Sequence, residues 1–279
     1  MSINAYYNGE FKNRNEIRIP LTDRAIFFGD GIYDAAIGRN GKVFMLDEHI
    51  ERFFSNIRFL GLPFLLSQCE LRKLILKTVG LSGEKSYFVY FQLTRFSEER
   101  AHAYPKSNRS NLLITVSPFR LAEKDKRLKL VLQPDVRHKL CYVKTVNLLP
   151  AVMASHYAEQ CGADETVFYK DNTVTECSHS NIHIVKDSVL MTHPLDGSIL
   201  PGIAREHLLS VCKKHGIEYR ECKFSVEDML SADEVIVTSS SKLAIPAEKI
   251  ENVCFEKKSN SIADLISEKM REDFINATN

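Results

Sequence analysis

Residues 138–181 read HKLCYVKTVNLLPAVMASHYAEQCGADETVFYKDNTVTECSHSN, and the chemistry of the chain is concentrated there. Lys144 follows an apolar-leaning run, Leu140-Cys141-Tyr142-Val143, and precedes a helix start that Asn147 is suited to cap. Pro150 in the first turn and Gly162 past the last one fit the usual start and stop residues of a helix. An amine held at such a strand or loop end, partly out of water, gives up its charge more readily than a solvated lysine, whose reference pKa is about 10.4. That favours an imine-forming nucleophile. Taken alone the inference is thin, because most lysines are solvated surface charges. Beyond the helix, Glu165 to Tyr169 reads as a strand and Lys170-Asp171-Asn172 as a turn. A second strand then delivers Val174-Thr175-Glu176, and Cys177-Ser178-His179-Ser180-Asn181 follow directly. The hairpin brings a carboxylate and a group of small polar side chains to one end of a sheet.

Lys144-Thr145-Val146-Asn147-Leu148-Leu149, Thr173-Val174-Thr175-Glu176 and Ser180-Asn181 together resemble the signature of the class IV aminotransferases, which are pyridoxal-phosphate enzymes. The resemblance extends over essentially the whole chain and is closest to the D-amino acid aminotransferases. It implies an α/β (α+β) chain of fold type IV, with two domains, pyridoxal 5′-phosphate in the cleft between them, and a homodimer. It also implies that Lys144 forms the Schiff base with the cofactor and that Glu176 pairs with the pyridine nitrogen.

Composition agrees with small-molecule work. The 279 residues are enough for one large or two moderate domains, and 44% hydrophobic residues can build their cores. A net charge of +1 points to neither nucleic acid nor an anionic membrane surface. The seven cysteines, at 69, 141, 161, 177, 212, 222 and 254, form no C-x-x-C pair, which suits a reduced, cytoplasmic chain. The N-terminal stretch lacks an apolar signal region, and the longest apolar run, Phe59 to Leu66, is interrupted by Gly61 and Pro63, so no membrane span is expected.

Upstream of the central stretch, two short strands are expected, Ile3 to Tyr7 and Glu16 to Ile19. Gly29-Asp30-Gly31 reads as a turn before a strand from Ile32 to Ile37, and Asn40-Gly41 as a hairpin turn into Lys42 to Met45. Taken alone the glycines read as plain turn residues; the family resemblance assigns Tyr33, which follows them, to the substrate. A helix from Asp47 carries Ile50, Phe53, Phe54, Ile57 and Leu60 on one face, with His49 and Arg52 sharing another side. By resemblance Arg52 holds the cofactor phosphate, a task for which a bidentate guanidinium is better shaped than a point charge. Ser67 with Glu70 signals a capped second helix that Gly80 ends, and Tyr87 to Thr94 and Asn111 to Val116 read as strands. Composition makes Arg95 to Arg109 a solvated charged loop. The resemblance makes Arg100 and His102 the pair that reaches the neighbouring subunit's site and binds the substrate α-carboxylate.

The polar run after Pro118 marks a linker, giving domains at 1–118 and 128–279 with 119–127 between them and the lysine in the second. Strands are expected at Leu128 to Leu132, Ile182 to Val185, Val189 to Thr192 and Glu234 to Val237, and an amphipathic helix at Ile262 to Phe274. Leu200-Pro201-Gly202 leads into a helix ending near His215-Gly216, and Ser225 with Asp228 caps a short one. A helix start after glycine is an anion site only in context. The resemblance supplies the context: amides at Ile203 and Ala204 bind the cofactor phosphate, with Ser240 as a further contact from the hydroxyl run Thr238-Ser239-Ser240-Ser241. A threonine often stands where this chain has Ala204. His179 and His183 form the one H-x-x-x-H spacing, in a strand-like segment without a third ligand, so no metal is expected.

The resemblance implies transamination between a D-amino acid, such as D-alanine, and a 2-oxo acid, such as 2-oxoglutarate. 4-Amino-4-deoxychorismate lyase, which shares the lysine and the glutamate-to-asparagine segment, is the nearest rival; Arg100 and His102 speak against it, and Cys177 and His179, where glycine and serine are common, speak for it. Branched-chain aminotransferases rank third, and a non-catalytic binding protein on the same scaffold is the reading from another class.

Overall fold

Aromatic and aliphatic residues alternate with partly exposed ones through Ser86–Thr94, and period-two alternation is what a sheet strand with one covered face requires. In the computed structural model, which describes residues 3–279, this strand lies inside a six-stranded sheet. The chain divides into two units: residues up to 120 with 143–147 and 276–279, and residues 121–142 with 148–275.

The first unit comprises β1 (Ala5–Tyr7), β2 (Glu10–Lys12), α1 (Arg24–Phe28), β3 (Gly31–Arg39), β4 (Lys42–Val43), α2 (Leu46–Leu60), α3 (Gln68–Ser82), β5 (Ser86–Thr94) and β6 (Asn111–Pro118). The sheet order is β2-β1-β6-β5-β3-β4, with every pairing antiparallel. Helix α2 buries Leu46, Ile50, Phe53 and Ile57, and α3 buries Leu71, Ile75 and Val79 behind a Ser67–Glu70 capping box. The strand expected at Glu16 to Ile19 is absent. Asn8 (φ 46°) and Gly9 (φ 103°) turn the chain back so that Glu10–Lys12 pairs with β1 instead. Met45, expected in a strand, takes a left-handed conformation (φ 50°) that starts α2. Gly80 does not end α3, which runs on to Ser82 and stops at Gly83 (φ 72°), where the left-handed conformation is needed.

The second unit comprises β7 (Leu128–Pro134), α4 (Leu149–Gln160), β8 (Glu165–Lys170), β9 (Thr173–Cys177), β10 (Asn181–Lys186), β11 (Val189–Thr192), α5 (Ile203–His215), β12 (Tyr219–Glu221), α6 (Val226–Leu230), β13 (Glu234–Ser239), β14 (Leu243–Ile250), β15 (Val253–Cys254) and most of α7 (Ile262–Thr278). The sheet runs β12-β11-β10-β13-β14-β7-β8-β9, with β15 beside β14. Parallel pairing of β7 with both β14 and β8 sits at its middle. Leu130, Val167, Ile184, Val235 and Val237 belong to its core. The β8–β9 and β10–β11 hairpin turns use consecutive left-handed residues, Asp171-Asn172 and Asp187-Ser188, whose short polar side chains tolerate that conformation.

Two expectations about the lysine segment are corrected. Asn147 does not cap α4: Leu148 holds the cap position, and the Asn147 side chain donates to the Gly29 carbonyl at 2.9 Å. The lysine does not group with the second unit either. Thr145 forms an antiparallel bridge with Ile32, the Tyr33 N–H donates to the Lys144 carbonyl at 2.9 Å, and the Val146 N–H donates to the Gly31 carbonyl at 3.1 Å. Residues 143–147 thus occupy the edge of β3 that β4, paired only with Gly38 and Arg39, leaves open. Among the described residues no helix is long and apolar enough to cross a membrane.

Candidate functional site

The antiparallel pairing of residues 144–146 with β3 sets Lys144 opposite Tyr33, and opposite residues in such a pair share a face. The Lys144 Nζ donates to the Tyr33 Oη at 3.2 Å and lies 4.3 Å from the centre of the tyrosine ring. Tyr90, two positions along from the β5 partner of Tyr33, stacks on it with ring centres 5.3 Å apart. Burial pushes the Tyr90 hydroxyl well above its ordinary pKa, so it stays a neutral donor, here to Gln92 Oε1 at 2.6 Å. The lysine amine is therefore aimed by backbone pairing and by two aromatic rings.

Asp34, the next residue on β3, points to the opposite face. It is fully buried. Arg52 of α2 grips it with two bonds, Nε to Oδ2 at 2.9 Å and Nη2 to Oδ1 at 2.8 Å, and His49 Nδ1 lies 2.7 Å from Oδ1. Burial alone would raise the Asp34 carboxyl, but the charges and hydrogen bonds of Arg52 and His49 outweigh it and hold the group well below the usual carboxylate range. Burial also pushes the His49 imidazole down, aided by the charges of Arg52 and Lys144 and opposed by Asp34. Arg52, expected at the cofactor phosphate, is thus oriented by a bidentate ion pair that reading the sequence missed. A signal existed, since a carboxylate inside the apolar strand Ile32–Ile37 needs a buried cation, and His49 and Arg52 share one side of α2.

Arg100 and His102 lie on the loop between β5 and β6, and both stand on Phe28: the guanidinium carbon is 5.1 Å from that ring's centre and the imidazole 5.3 Å. The structure brings these two side chains together on one aromatic platform.

In the second unit, Glu176 near the end of β9 is buried and heavily bonded. Its Oε2 accepts from Asn181 Nδ2 and from the Leu200 N–H, each at 3.0 Å, while Arg137 Nη1 donates to Oε1. An ionised carboxylate is the species this donor set fits. Arg137 is itself held by Asp135 through Nε at 3.0 Å and Nη2 at 2.7 Å, and it lies 4.8 Å from the centre of the Phe168 ring. Nothing in the sequence distinguished Arg137 from other loop arginines; only folding reveals its partner 39 positions away.

Asn181 ties Glu176 to the start of α5. Its Nδ2 also donates to the Leu200 carbonyl at 3.1 Å, and a Cβ added to Gly202 would fall 2.1 Å from its Oδ1. Glycine is therefore required there for space, its φ of −71° being ordinary. No side chain caps α5 at Gly202, so the first-turn N–H groups at Ile203 and Ala204 have neither a side-chain cap nor intrahelical acceptors. Ser240 sits half-buried in the turn between β13 and β14, where Ser239 Oγ accepts from the Lys242 N–H at 3.2 Å. A buried carboxylate, an uncapped helix start and a hydroxyl turn are the groups this unit could offer a phosphorylated pyridine.

The two histidines of the H-x-x-x-H spacing have other partners. His183 lies between Thr192 Oγ1 and Thr238 Oγ1, each at 2.9 Å, and burial with the nearby Arg205 charge pushes its pKa down to about 3. The His179 Nε2 accepts from Lys242 Nζ at 2.8 Å, and Lys242 also donates to the fully buried Glu165 at 2.6 Å. Cys177 is buried and, like the other six cysteines, free.

The sequence profile of the family described as Amino-transferase class IV matches residues 31–250. A D-alanine aminotransferase of Bacillus licheniformis is 32% identical over 247 residues, covering 88% of this chain and 87% of that protein. A branched-chain aminotransferase of Thermoproteus uzoniensis, solved with norvaline, superposes with a TM-score of 0.92 at 23% identity, over 99% of this chain and 96% of that one. A Legionella pneumophila structure provisionally described as 4-amino-4-deoxychorismate lyase gives 0.86 at 24% identity, over 93% and 97% of the two chains. At these identities the two structures establish the shared fold.

Proposed function

This chain belongs to the class IV aminotransferases, enzymes that depend on pyridoxal 5′-phosphate, and we propose that it transfers an amino group from a D-amino acid, such as D-alanine, to a 2-oxo acid, such as 2-oxoglutarate. One observation carries the D-amino acid reading: Arg100 and His102 stand side by side on Phe28, a guanidinium and an imidazole presented together for one carboxylate. The name of the B. licheniformis relative supports it.

The cofactor, when bound, supplies an electron-accepting ring that stabilises negative charge at the substrate α-carbon. Arg52, the amides at Ile203 and Ala204, and Ser240 would hold its phosphate, and Lys144 would be the residue that attaches it. Glu176, kept anionic by Arg137, Asn181 and the Leu200 N–H, holds a proton at the ring nitrogen. Tyr33, with Arg100 and His102 of the neighbouring subunit, binds the substrate carboxylate. The Lys144 amine takes the α-proton and returns it, as general base and then general acid. The first 2-oxo acid leaves before the second binds, so two half-reactions share one set of groups.

A homodimer is part of this proposal. On α4, Leu149 (70% exposed), Val152 (60%), Met153 (64%) and Tyr157 form an apolar stripe at helical spacing, the kind of face a second copy covers. The seven free cysteines support a reducing compartment, the cytoplasm.

The test is to incubate the cofactor-loaded protein with 2-oxoglutarate and either D- or L-alanine, following pyruvate and D-glutamate. Equal amounts of both products from the D-isomer alone are expected. If neither isomer reacts, the transaminase reading fails and aminodeoxychorismate becomes the substrate to try.

A further inference from the structure

We propose that Arg24 is a positioning residue that sets the Arg100–His102 loop for carboxylate binding; this rests on the reading of that pair given above. Arg24 is 4% exposed in a short surface helix, an unusual place for a guanidinium unless something requires it. Its Nη1 donates to the carbonyl of Ala101 at 2.6 Å and to that of Ala103 at 3.2 Å. These two carbonyls bracket His102, and Ala101 also adjoins Arg100. The Arg24 Nε donates to Asp30 Oδ2 at 2.8 Å, and the guanidinium carbon lies 4.7 Å from the centre of Phe28, the ring on which Arg100 and His102 stand.

Asp30 is shared. Arg95 donates its Nε to the same carboxylate at 3.0 and 3.1 Å, anchors to the Leu60 and Gly61 carbonyls, and stacks over Tyr104, further along the loop, at 3.7 Å. The base of the loop is pinned separately: buried Asp23 accepts from Thr94 Oγ1 and Asn111 Nδ2, each at 2.7 Å, at the ends of the two strands the loop joins. The crown, where Arg100 and His102 sit, is exposed and irregular, and Arg24 supplies its backbone bonds to α1.

Asp30 lies in the Gly29-Asp30-Gly31 turn, whose Gly29 carbonyl accepts from Asn147 and whose Gly31 carbonyl accepts from Val146. One run of hydrogen bonds therefore joins the loop to the turn that carries β3 and to the segment that carries Lys144. Arg24 acts on substrate through the place it gives two other side chains, not by contact.

The experiment compares Arg24→Ala, Arg24→Lys, Arg100→Ala and the double variant Arg24→Ala/Arg100→Ala as cofactor-loaded enzymes, with KM for D-alanine, kcat, cofactor absorbance, and trypsin cleavage after Arg100 as readouts. Arg24→Ala is expected to raise KM by roughly tenfold or more with kcat within about threefold, as loss of charge-assisted bonds that fix a binding group predicts. Cleavage after Arg100 is expected to quicken in the Arg24→Ala protein while cofactor absorbance stays unchanged. Arg24→Lys, which keeps the charge beside Asp30, is expected to recover part of the KM, and the double variant to raise KM by less than the product of the two single effects, because Arg24 acts partly through Arg100 and partly through His102. Should Arg24→Ala not fold, Arg24→Lys carries the same comparison, because it loses the fork across Ala101 and Ala103. A KM unchanged in the Arg24 variants while Arg100→Ala raises it overturns the proposal and leaves the loop's role standing. A KM unchanged in Arg100→Ala overturns the role of the loop and the proposal with it.

Discussion

At the scale of single residues, placement is decided by what a side chain is bonded to. Lys144 is aimed by the bond to Tyr33, and Asn181 by the space that Gly202 leaves. A Gly202→Ala substitution forces the Asn181 amide away from a position fixed by its bonds to Glu176 and Leu200, at a cost of about 1–3 kcal/mol for overpacking a fitted site. Since Asn181 links the carboxylate to the start of α5, cofactor affinity is expected to fall by roughly ten- to a hundredfold, as 1.4 kcal/mol per decade implies. Titration of the apo-protein with pyridoxal 5′-phosphate, followed by absorbance, checks this, and an unchanged affinity would separate Gly202 from the site. Lys144, Glu176 and Asn181 drew attention in the sequence because their segments carry recognisable residue types in order. Arg137 and Arg24 did not, because their significance lies in partners 39 and 77 positions away.

At the scale of elements, β3 serves two faces, with Tyr33 toward Lys144 and Asp34 toward α2. Asp34→Ala leaves Arg52 and His49 buried without their counter-charge, and a loss of about 3–5 kcal/mol in stability is expected, measured by urea unfolding. The same carboxylate gives a pH signature. Its folded pKa lies below the unfolded value near 4, so its contribution is present above that value and is lost as pH falls toward the folded one. The acid limb of the stability curve below about pH 4 is therefore expected to be shallower in the variant than in the native protein. Strand and helix positions were legible where alternation or helical spacing was clean, as in β5, α2 and the β8–β9 hairpin. They failed where a positive φ at Asn8, Met45 or Gly83 decided the boundary, because such conformations follow from turn geometry and leave little trace in hydrophobic pattern. The hairpin partner β14 escaped notice because Leu243 to Ile250 shows continuous burial over its first five residues and carries Pro246.

At the scale of the whole molecule, the division between the units falls after Arg120, and the return of residues 143–147 to the first unit was not visible in composition. Residues 144–146, which pair with the edge of β3, carry no compositional mark, yet they decide which unit holds the lysine. The exposed stripe on α4 makes assembly testable: the native protein is expected near twice its chain mass of 31.8 kDa by light scattering, and Val152→Asp/Met153→Asp near the single-chain mass. A native monomer would remove the partner subunit to which the carboxylate-binding role of Arg100 and His102 is assigned. The central claim concerns Lys144, and the most direct measurement is pyruvate formation from D-alanine and 2-oxoglutarate by cofactor-supplied Lys144→Ala beside the native enzyme. A loss of at least about a hundredfold in kcat is expected, the lower range for removing a general acid and base. Normal turnover by the variant would contradict the account.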